Sequence, residues 1–218
     1  NKEIFPGYYY TVPSTITDGN RIYVKNSGSV IVENGAEMNT TTINISENKS
    51  GAAAYNEQYA SLTVRNQGIV YGDINVYEDG ILNGNGTIVG NVTVDGGTVA
   101  PGNSPGTLTI DGDFIVDSGT LEIEVASPEL YDIFDVSGSI NIGEDAIIEI
   151  ILSDLDIDTI DFSQFFTGHT GMTFYGDFDP LTNIILSVLG IDDDDAYSVA
   201  LDFIGQIYTY TENGVALS

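Results

Sequence analysis

The chain has 218 residues, no cysteine and a formal net charge of −28, which results from 33 acidic and five basic residues. Because phosphate contacts require lysine and arginine, this charge excludes nucleic-acid binding and disfavours direct contact with an anionic bilayer. The absence of cysteine excludes disulfides, thiolate metal sites and cysteine nucleophiles.

The acidic charge is concentrated in the second half of the chain. The first 109 residues contain all five basic residues and have a net charge of −5, whereas the last 109 have a net charge of −23. Self-repulsion of this size favours solubility but strains the compact state, and salt or divalent cations relieve that strain. With 42 % hydrophobic residues the chain is nevertheless expected to fold, and it has no apolar segment long enough to cross a bilayer.

Residues 1–13 form an aromatic opening that includes Tyr8, Tyr9 and Tyr10. Consecutive tyrosines predict a β-strand with rings on both of its faces. Two roles remain open for this strand: it caps the first coil of the fold, or it contacts a partner or a carbohydrate.

Residues 14–152 consist of short β-branched runs that alternate with asparagine and glycine turns, as in RIYVK at 21–25 and SVIVE at 29–33. Each strand has room for about three to five residues before the next turn. This rhythm predicts a coiled β-solenoid and not a sheet of long hairpins. Residues 46–60 interrupt it and are predicted to form a loop that protrudes from one coil.

The rhythm is clearest between Gly84 and Asp113, which include GTVAPGNSPGTLTIDGD at 97–113. Pro101 and Pro105 fix the backbone and Gly102 and Gly106 permit tight bends, so this motif is interpreted as a corner of the solenoid.

The same motif, followed by GTLEIEV at 119–125 and YDIFDVSG at 131–138, resembles a signature of the passenger regions of bacterial autotransporters and related exported surface proteins. The resemblance covers about residues 84–152. It implies a right-handed parallel β-helix and export to the cell surface. Its motifs belong to the scaffold and specify no activity.

Residues 153–218 differ in character and are predicted to be a β-rich C-terminal capping region, because both ends of a solenoid must be covered. Within them, residues 180–189 fit a short helix or a buried strand equally well. The chain ends with an aromatic, strand-like segment. Its Tyr208 and Tyr210, together with the three N-terminal tyrosines, are the predicted interaction residues.

Two groups of aspartates are candidate ligands for Ca²⁺, which prefers oxygen donors. The first group consists of Asp154, Asp156 and Asp158, which alternate along the chain and therefore share one face of a strand. The second group is a consecutive run of Asp192, Asp193, Asp194 and Asp195. An EF-hand is excluded, since Thr159 and Phe165 stand where its glycine and glutamate would be. The alternative interpretation is a solvated acidic surface.

Catalysis is the least favoured class of function. His169 is the single histidine, which excludes a multi-histidine metal centre, and no G-x-S-x-G elbow accompanies it. No lysine or arginine lies in a recognisable lyase motif, and a glycosidase pair cannot be chosen among so many carboxylates. We therefore expect a non-catalytic protein, with a polysaccharide-active β-helix enzyme as the least favoured alternative.

Two non-catalytic functions remain, both outside the cytoplasm. The first is an adhesin or passenger-type scaffold on the surface of a bacterium, which binds a surface or glycan partner. The second is a subunit of an extracellular filament, sheath or matrix that joins other copies of itself through its terminal strands. The scaffold motif favours the first.

Overall fold

The computed structural model describes residues 2–4, 9–12, 16–17, 21–25, 28–46, 59–102, 105–152, 160–178 and 180–188. They form an all-β structure. Its strands are β1 (Lys2–Ile4), β2 (Tyr9–Val12), β3 (Ile16–Thr17), β4 (Arg21–Val24), β5 (Ser29–Val32), β6 (Glu37–Ile45), β7 (Ala60–Val64), β8 (Ile69–Tyr77), β9 (Gly80–Gly84), β10 (Thr87–Val89), β11 (Val92–Pro101), β12 (Thr107–Asp111), β13 (Phe114–Ser127), β14 (Leu130–Tyr131), β15 (Ile133–Val136), β16 (Ser139–Leu152), β17 (Phe166–Thr167), β18 (Gly171–Phe174) and β19 (Ile184–Val188). A 3₁₀ turn (Phe162–Phe165) and a single helical turn, α1 (Pro180–Asn183), complete the described elements.

The strands pair in parallel with strands one coil further along the chain, and they form three columns that we name faces 1, 2 and 3. Face 1 contains β1, β4, β18 and residues 42–45, 73–76, 92–94, 114–116 and 139–142 of the longer strands. Face 2 contains β2, β5, β7, β9, β19 and residues 98–101, 119–125 and 146–152. Face 3 contains β3, β10, β12, β15, β17 and residues 37–39 and 69–71.

The described chain passes through faces 1, 2 and 3 in the same order in successive coils. This arrangement is consistent with a β-helix type of fold and confirms the all-β prediction. Among the described residues, one antiparallel strand pair, between β13 and β14, and an isolated antiparallel bridge between Gly84 and Gly102 interrupt the parallel pattern. Within the described part of the chain, no helix has the length and apolar character needed to cross a membrane.

Parallel pairing continues beyond residue 152, where the sequence predicts a separate capping region. β17 pairs with β15, β18 pairs with β16, and β19 pairs with β16. The segment at 180–189, for which the sequence left helix and strand open, begins as α1 and continues as β19. Residues 47–58 of the predicted loop, and residues 153–159 and 189–218 of the predicted cap, lie outside the described residues.

The core lies between the three faces and is made by alternate residues of each strand. Register places residues of one coil directly above their counterparts in the next, so that the interior consists of apolar columns. One column of face 1 consists of Ile22, Ile43, Ile74, Val92, Phe114 and Ile140, each exposed by 2 % or less. β-branched side chains pack well on such pleated surfaces, which explains their abundance in the sequence.

Aromatic rings extend these columns near the C-terminal end of the described core. The ring centroid of Phe134 lies 5.2 Å from that of Phe114 and 5.5 Å from that of Phe166. Phe134 and Phe166 are also register partners in β15 and β17. Stacking therefore continues the core from face 3 into a segment that the sequence assigned to the cap.

The corner between faces 3 and 1 depends on glycines that stack on one another. A Cβ atom at Gly90 would lie 2.4 Å from the carbonyl oxygen of Gly72, and one at Gly112 would lie 2.3 Å from that of Gly90. At this corner the backbones of successive coils are too close together to leave room for a side chain. Gly112 does not have a positive φ, so close approach alone requires glycine at this position.

Side chains that follow these glycines bridge the coils with hydrogen bonds. Asn91 N donates to Asp73 Oδ1 (2.9 Å), Asp113 N donates to Asn91 Oδ1 (2.9 Å), and Ser139 N donates to Asp113 Oδ1 (2.8 Å). We call these four residues the corner ladder. It satisfies backbone N–H groups where the chain turns into face 1 and thereby fixes the spacing of the coils.

Replacement of Gly112 by alanine should destabilise the protein by about 2–3 kcal/mol, because its methyl group overlaps the Gly90 carbonyl and overpacking of a fixed backbone carries costs of this size. Gly35→Ala is the matched control, since Gly35 has a φ of +73° but a methyl group added there would meet open space. It should cost only about 1 kcal/mol, the strain of a left-handed residue. Chemical denaturation measures both, and a cost for Gly35→Ala equal to or above that for Gly112→Ala contradicts the stacking explanation.

Candidate functional site

A groove of about 350 Å³ runs across the outer surface of face 1. The described residues that line it are mainly polar or aromatic and come from five successive coils: Arg21, Tyr23, Thr42, Asn44, Asp73, Asn75, Tyr77, Asn91, Thr93 and Ile115.

The floor of the groove is a column of outward-facing residues in direct register. Tyr23 pairs with Asn44, Asn44 with Asn75, Asn75 with Thr93, and Thr93 with Ile115. Each of these residues lies between two buried apolar neighbours on its strand, so strand alternation directs it outwards. Because neighbouring strands are about 4.8 Å apart, the column extends for about 19 Å along the stacking direction.

An asparagine pair fixes the middle of this column. Asn75 Nδ2 donates to Asn44 Oδ1 at 2.8 Å, and Asn44 is only 6 % exposed. Two amides contain more donors and acceptors than one bond uses. The bond holds the pair in place, with Asn44 enclosed and Asn75 partly exposed to the groove.

One side of the groove is formed by the outward residues that begin the strands of face 1. Arg21 pairs with Thr42, and Thr42 pairs with Asp73. Asp73 and Asn91 also belong to the corner ladder, which engages one side-chain oxygen of each. The groove therefore shares residues with the corner that spaces the coils.

The charge of the lining differs from that of the whole chain. Arg21 and Asp73 are the charged residues among the described lining residues, and their charges cancel. The chain as a whole has a net charge of −28. The groove is thus a locally neutral surface on an acidic molecule.

Most residues that the sequence predicted as sites lie elsewhere. Tyr10 is partly buried and packs against the core of face 2, and of Tyr9 only the backbone, in β2, is described. The remaining predicted residues lie outside the described part: Tyr8, Tyr208, Tyr210, Asp154, Asp156, Asp158, Asp192, Asp193, Asp194 and Asp195. Among the described residues, no group of three or more histidine, aspartate or glutamate side chains is arranged to hold a metal ion. The predicted Ca²⁺ sites stay predictions.

The groove is not evident from the sequence alone. Its residues belong to the strands that were assigned correctly, but their partners lie 21, 31, 18 and 22 positions further along the chain. The signal in the sequence is the set of tyrosine, asparagine and threonine residues at the centre of successive short strands. Only the register shows that they form one surface.

A second unusual group is the carboxylate of Asp132, which is 3 % exposed. Its Oδ1 accepts a hydrogen bond from Gly106 N (2.7 Å) and its Oδ2 accepts one from Glu124 N (2.9 Å). Burial raises the pKa of Asp132 from its ordinary 3.8 to about 6, although the two hydrogen bonds oppose the shift. Asp132 lies outside the groove and holds the proline–glycine corner between β11 and β12 against β13.

Two other groups with shifted pKa values also lie outside the groove lining. Burial lowers the pKa of His169, against a hydrogen bond with the backbone of Gly171 that opposes the shift. Burial, and then the hydrogen bond to Asp117, raise the pKa of Tyr175 to about 12. The bond from Tyr175 to Asp117 ties the turn after β18 to β13, whereas the bond of His169 stays at the start of β18.

No family model matches the chain, and no curated protein or solved structure shows significant similarity to it. The resemblance to autotransporter passengers therefore stays a prediction from the motif at 97–138. Inference about function starts from the groove and the fold.

The titration of Asp132 predicts a specific pH dependence of stability. Between about pH 4 and pH 6 the folded protein retains a proton that the unfolded chain has already released, so the free energy of unfolding falls as the pH rises through this window. Asp132→Asn cannot titrate and should lack this contribution. Urea denaturation at several pH values measures the difference in the free energy of unfolding between the wild type and the variant.

Asp113→Asn serves as the control for this measurement. Hydrogen bonds from the backbone and hydroxyl of Ser139 lower the pKa of Asp113 below 3.8, so its titration lies outside the window. The difference in the free energy of unfolding between the wild type and Asp113→Asn should stay constant from pH 4 to pH 6. A constant difference for Asp132→Asn as well would show that Asp132 does not have the raised pKa.

Proposed function

We propose that this chain is a right-handed parallel β-helix that acts as an extracellular, non-catalytic scaffold of the adhesin or passenger type, with the groove on face 1 as its binding surface. The observation that carries the proposal is the groove itself. It is a polar and aromatic concavity whose lining charges cancel, on an acidic molecule, and all of its described lining residues except Asn91 lie on strands of the stack. Rigid strands are suitable supports for a recognition surface.

The composition of the lining supports binding without catalysis. Hydrolysis of a glycosidic bond uses two carboxyl groups on opposite sides of the bond. Asp73 is the one carboxylate among the described lining residues, and it already accepts a hydrogen bond from Asn91 N. The shifted groups Asp132 and His169 are not among the lining residues. The groove thus offers hydrogen bonds and ring surfaces but lacks a paired acid and base.

An exported location is supported by the motif at 97–113 and by the composition. The chain has no cysteine and an excess of acidic residues, which suits an exterior that contains salt or divalent cations. The motif at 97–113 resembles motifs of exported bacterial surface proteins and therefore supports the same location.

The main alternative from the sequence is a filament subunit, and size-exclusion chromatography with light scattering separates the two functions. A scaffold should have the mass of one chain, 23.3 kDa, at all concentrations, both in Ca²⁺ and in EGTA. Negative-stain electron microscopy of the same samples should show no fibres. Ordered fibres that grow with concentration would overturn the scaffold proposal in favour of the subunit.

A further inference from the structure

We propose that the groove on face 1 binds an uncharged carbohydrate chain that lies along the stacking direction of the coils. This inference rests on the proposed function, because it names the ligand class of the same binding surface. Four features of the groove carry it: its hydrogen-bonding groups, its aromatic rings, its charge and its length.

The hydrogen-bonding groups match vicinal hydroxyls. Amide and hydroxyl side chains each combine donors and acceptors, as sugar hydroxyls do. The groove presents Asn75 and Asn91 with Thr42 and Thr93 across consecutive coils, while Asn44 is almost fully enclosed. A ligand with only donors or only acceptors would leave half of this capacity unused, whereas a polyhydroxyl chain uses both.

The aromatic rings supply flat apolar surface beside these polar groups. Tyr23 lies at one end of the floor column, and Tyr77 follows Asn75 by two positions on the same side of β8. The ammonium of Lys25 is 5.4 Å from the ring centroid of Tyr23, a distance at which it attracts the face of that ring. Such rings bury the C–H face of a sugar while their hydroxyls stay hydrogen-bonded.

The charge of the groove and of the chain selects against acidic ligands. Arg21 and Asp73 cancel within the lining, and Lys25, whose ammonium lies beside Tyr23, adds one positive charge at that end of the groove. The remainder of the chain gives a negative field that repels uronates and sulfated sugars. An uncharged chain avoids this repulsion.

The length and rigidity of the groove favour an extended ligand over a single sugar. The floor column extends for about 19 Å, with contacts offered by every coil. Each of its residues lies on a strand, and the Asn44–Asn75 bond orders the centre before any ligand arrives. Preorganisation of this kind reduces the entropy that binding costs.

An array of uncharged oligosaccharides of increasing length, printed beside their sulfated and uronate counterparts, tests the proposal with wild-type protein. We expect binding to at least one uncharged series, stronger for longer oligomers, and weaker or no binding to the acidic counterparts. Isothermal titration calorimetry with the best binder then gives its Kd. Absence of binding to every uncharged series, or preference for the acidic ones, would overturn the proposal.

Matched substitutions locate the binding to the groove. Thr93→Trp fills its floor, while Thr109→Trp places the same ring on the outside of face 3, where Thr109 is similarly half-buried and pairs with Thr87. We expect Thr93→Trp to raise Kd at least tenfold, about 1.4 kcal/mol. We expect Thr109→Trp to leave it unchanged. Equal effects of the two, or no effect of Thr93→Trp, would place binding elsewhere and overturn the proposal.

A second matched pair removes a ring instead of adding one. Tyr23→Ala should weaken binding several-fold, and Tyr71→Ala, which removes an outward tyrosine from face 3, should not. Thermal unfolding confirms that each variant is folded before its Kd is compared.

The outcomes also separate this inference from the proposed function. Fibre formation would overturn the scaffold role whether or not the array shows binding. Monomeric protein that binds no uncharged glycan would overturn the ligand class and leave the scaffold role intact.

Discussion

In-register stacking of parallel strands is the constraint on which the rest of this structure depends. Neighbouring strands are about 4.8 Å apart, so a strand residue lies directly over its register partner in the previous coil. The side chains of the two residues must therefore fit against each other. Inside, compatibility means apolar contact, as in the column from Ile22 to Ile140. At the corner it means glycine over glycine, as at Gly90 and Gly112. The core and the corner thus meet the same requirement, close contact between successive coils, with different residue types.

On the outer surface the same constraint creates a site. Alternation directs Tyr23, Asn44, Asn75 and Thr93 outwards, and register aligns them into one column across coils that are distant in sequence. The contacts that order this column, such as the bond between the two asparagines, also connect one coil to the next. The proposed binding surface therefore uses side chains that also connect the coils, and a ligand there would meet a surface that folding has already arranged.

The sequence was sufficient for local structure and insufficient for spatial relations. β-branched runs and glycine turns predicted the strands and the corner after Pro101, because these depend on neighbours in the chain. The groove was missed because Asn44 and Asn75 are joined by register across 31 positions. Gly112 has an ordinary φ, and its requirement for glycine follows from contact with Gly90, which only the stacking of the coils reveals. The burial of Asp132 was likewise invisible, since it depends on where β13 packs.

Among the described parallel strands, register partners are as few as 17 positions apart, from Ile81 to Thr98, and as many as 36 apart, from Ile148 to Ile184. The strands nevertheless remain in register, so differences in the number of residues per coil are accommodated by the segments between the strands and do not displace the core. A coil of this kind tolerates insertion and deletion at its connections while its interior stays constant. Over evolutionary time, the connecting segments are thus free to diversify independently of the scaffold, and new surface features can appear without a new fold.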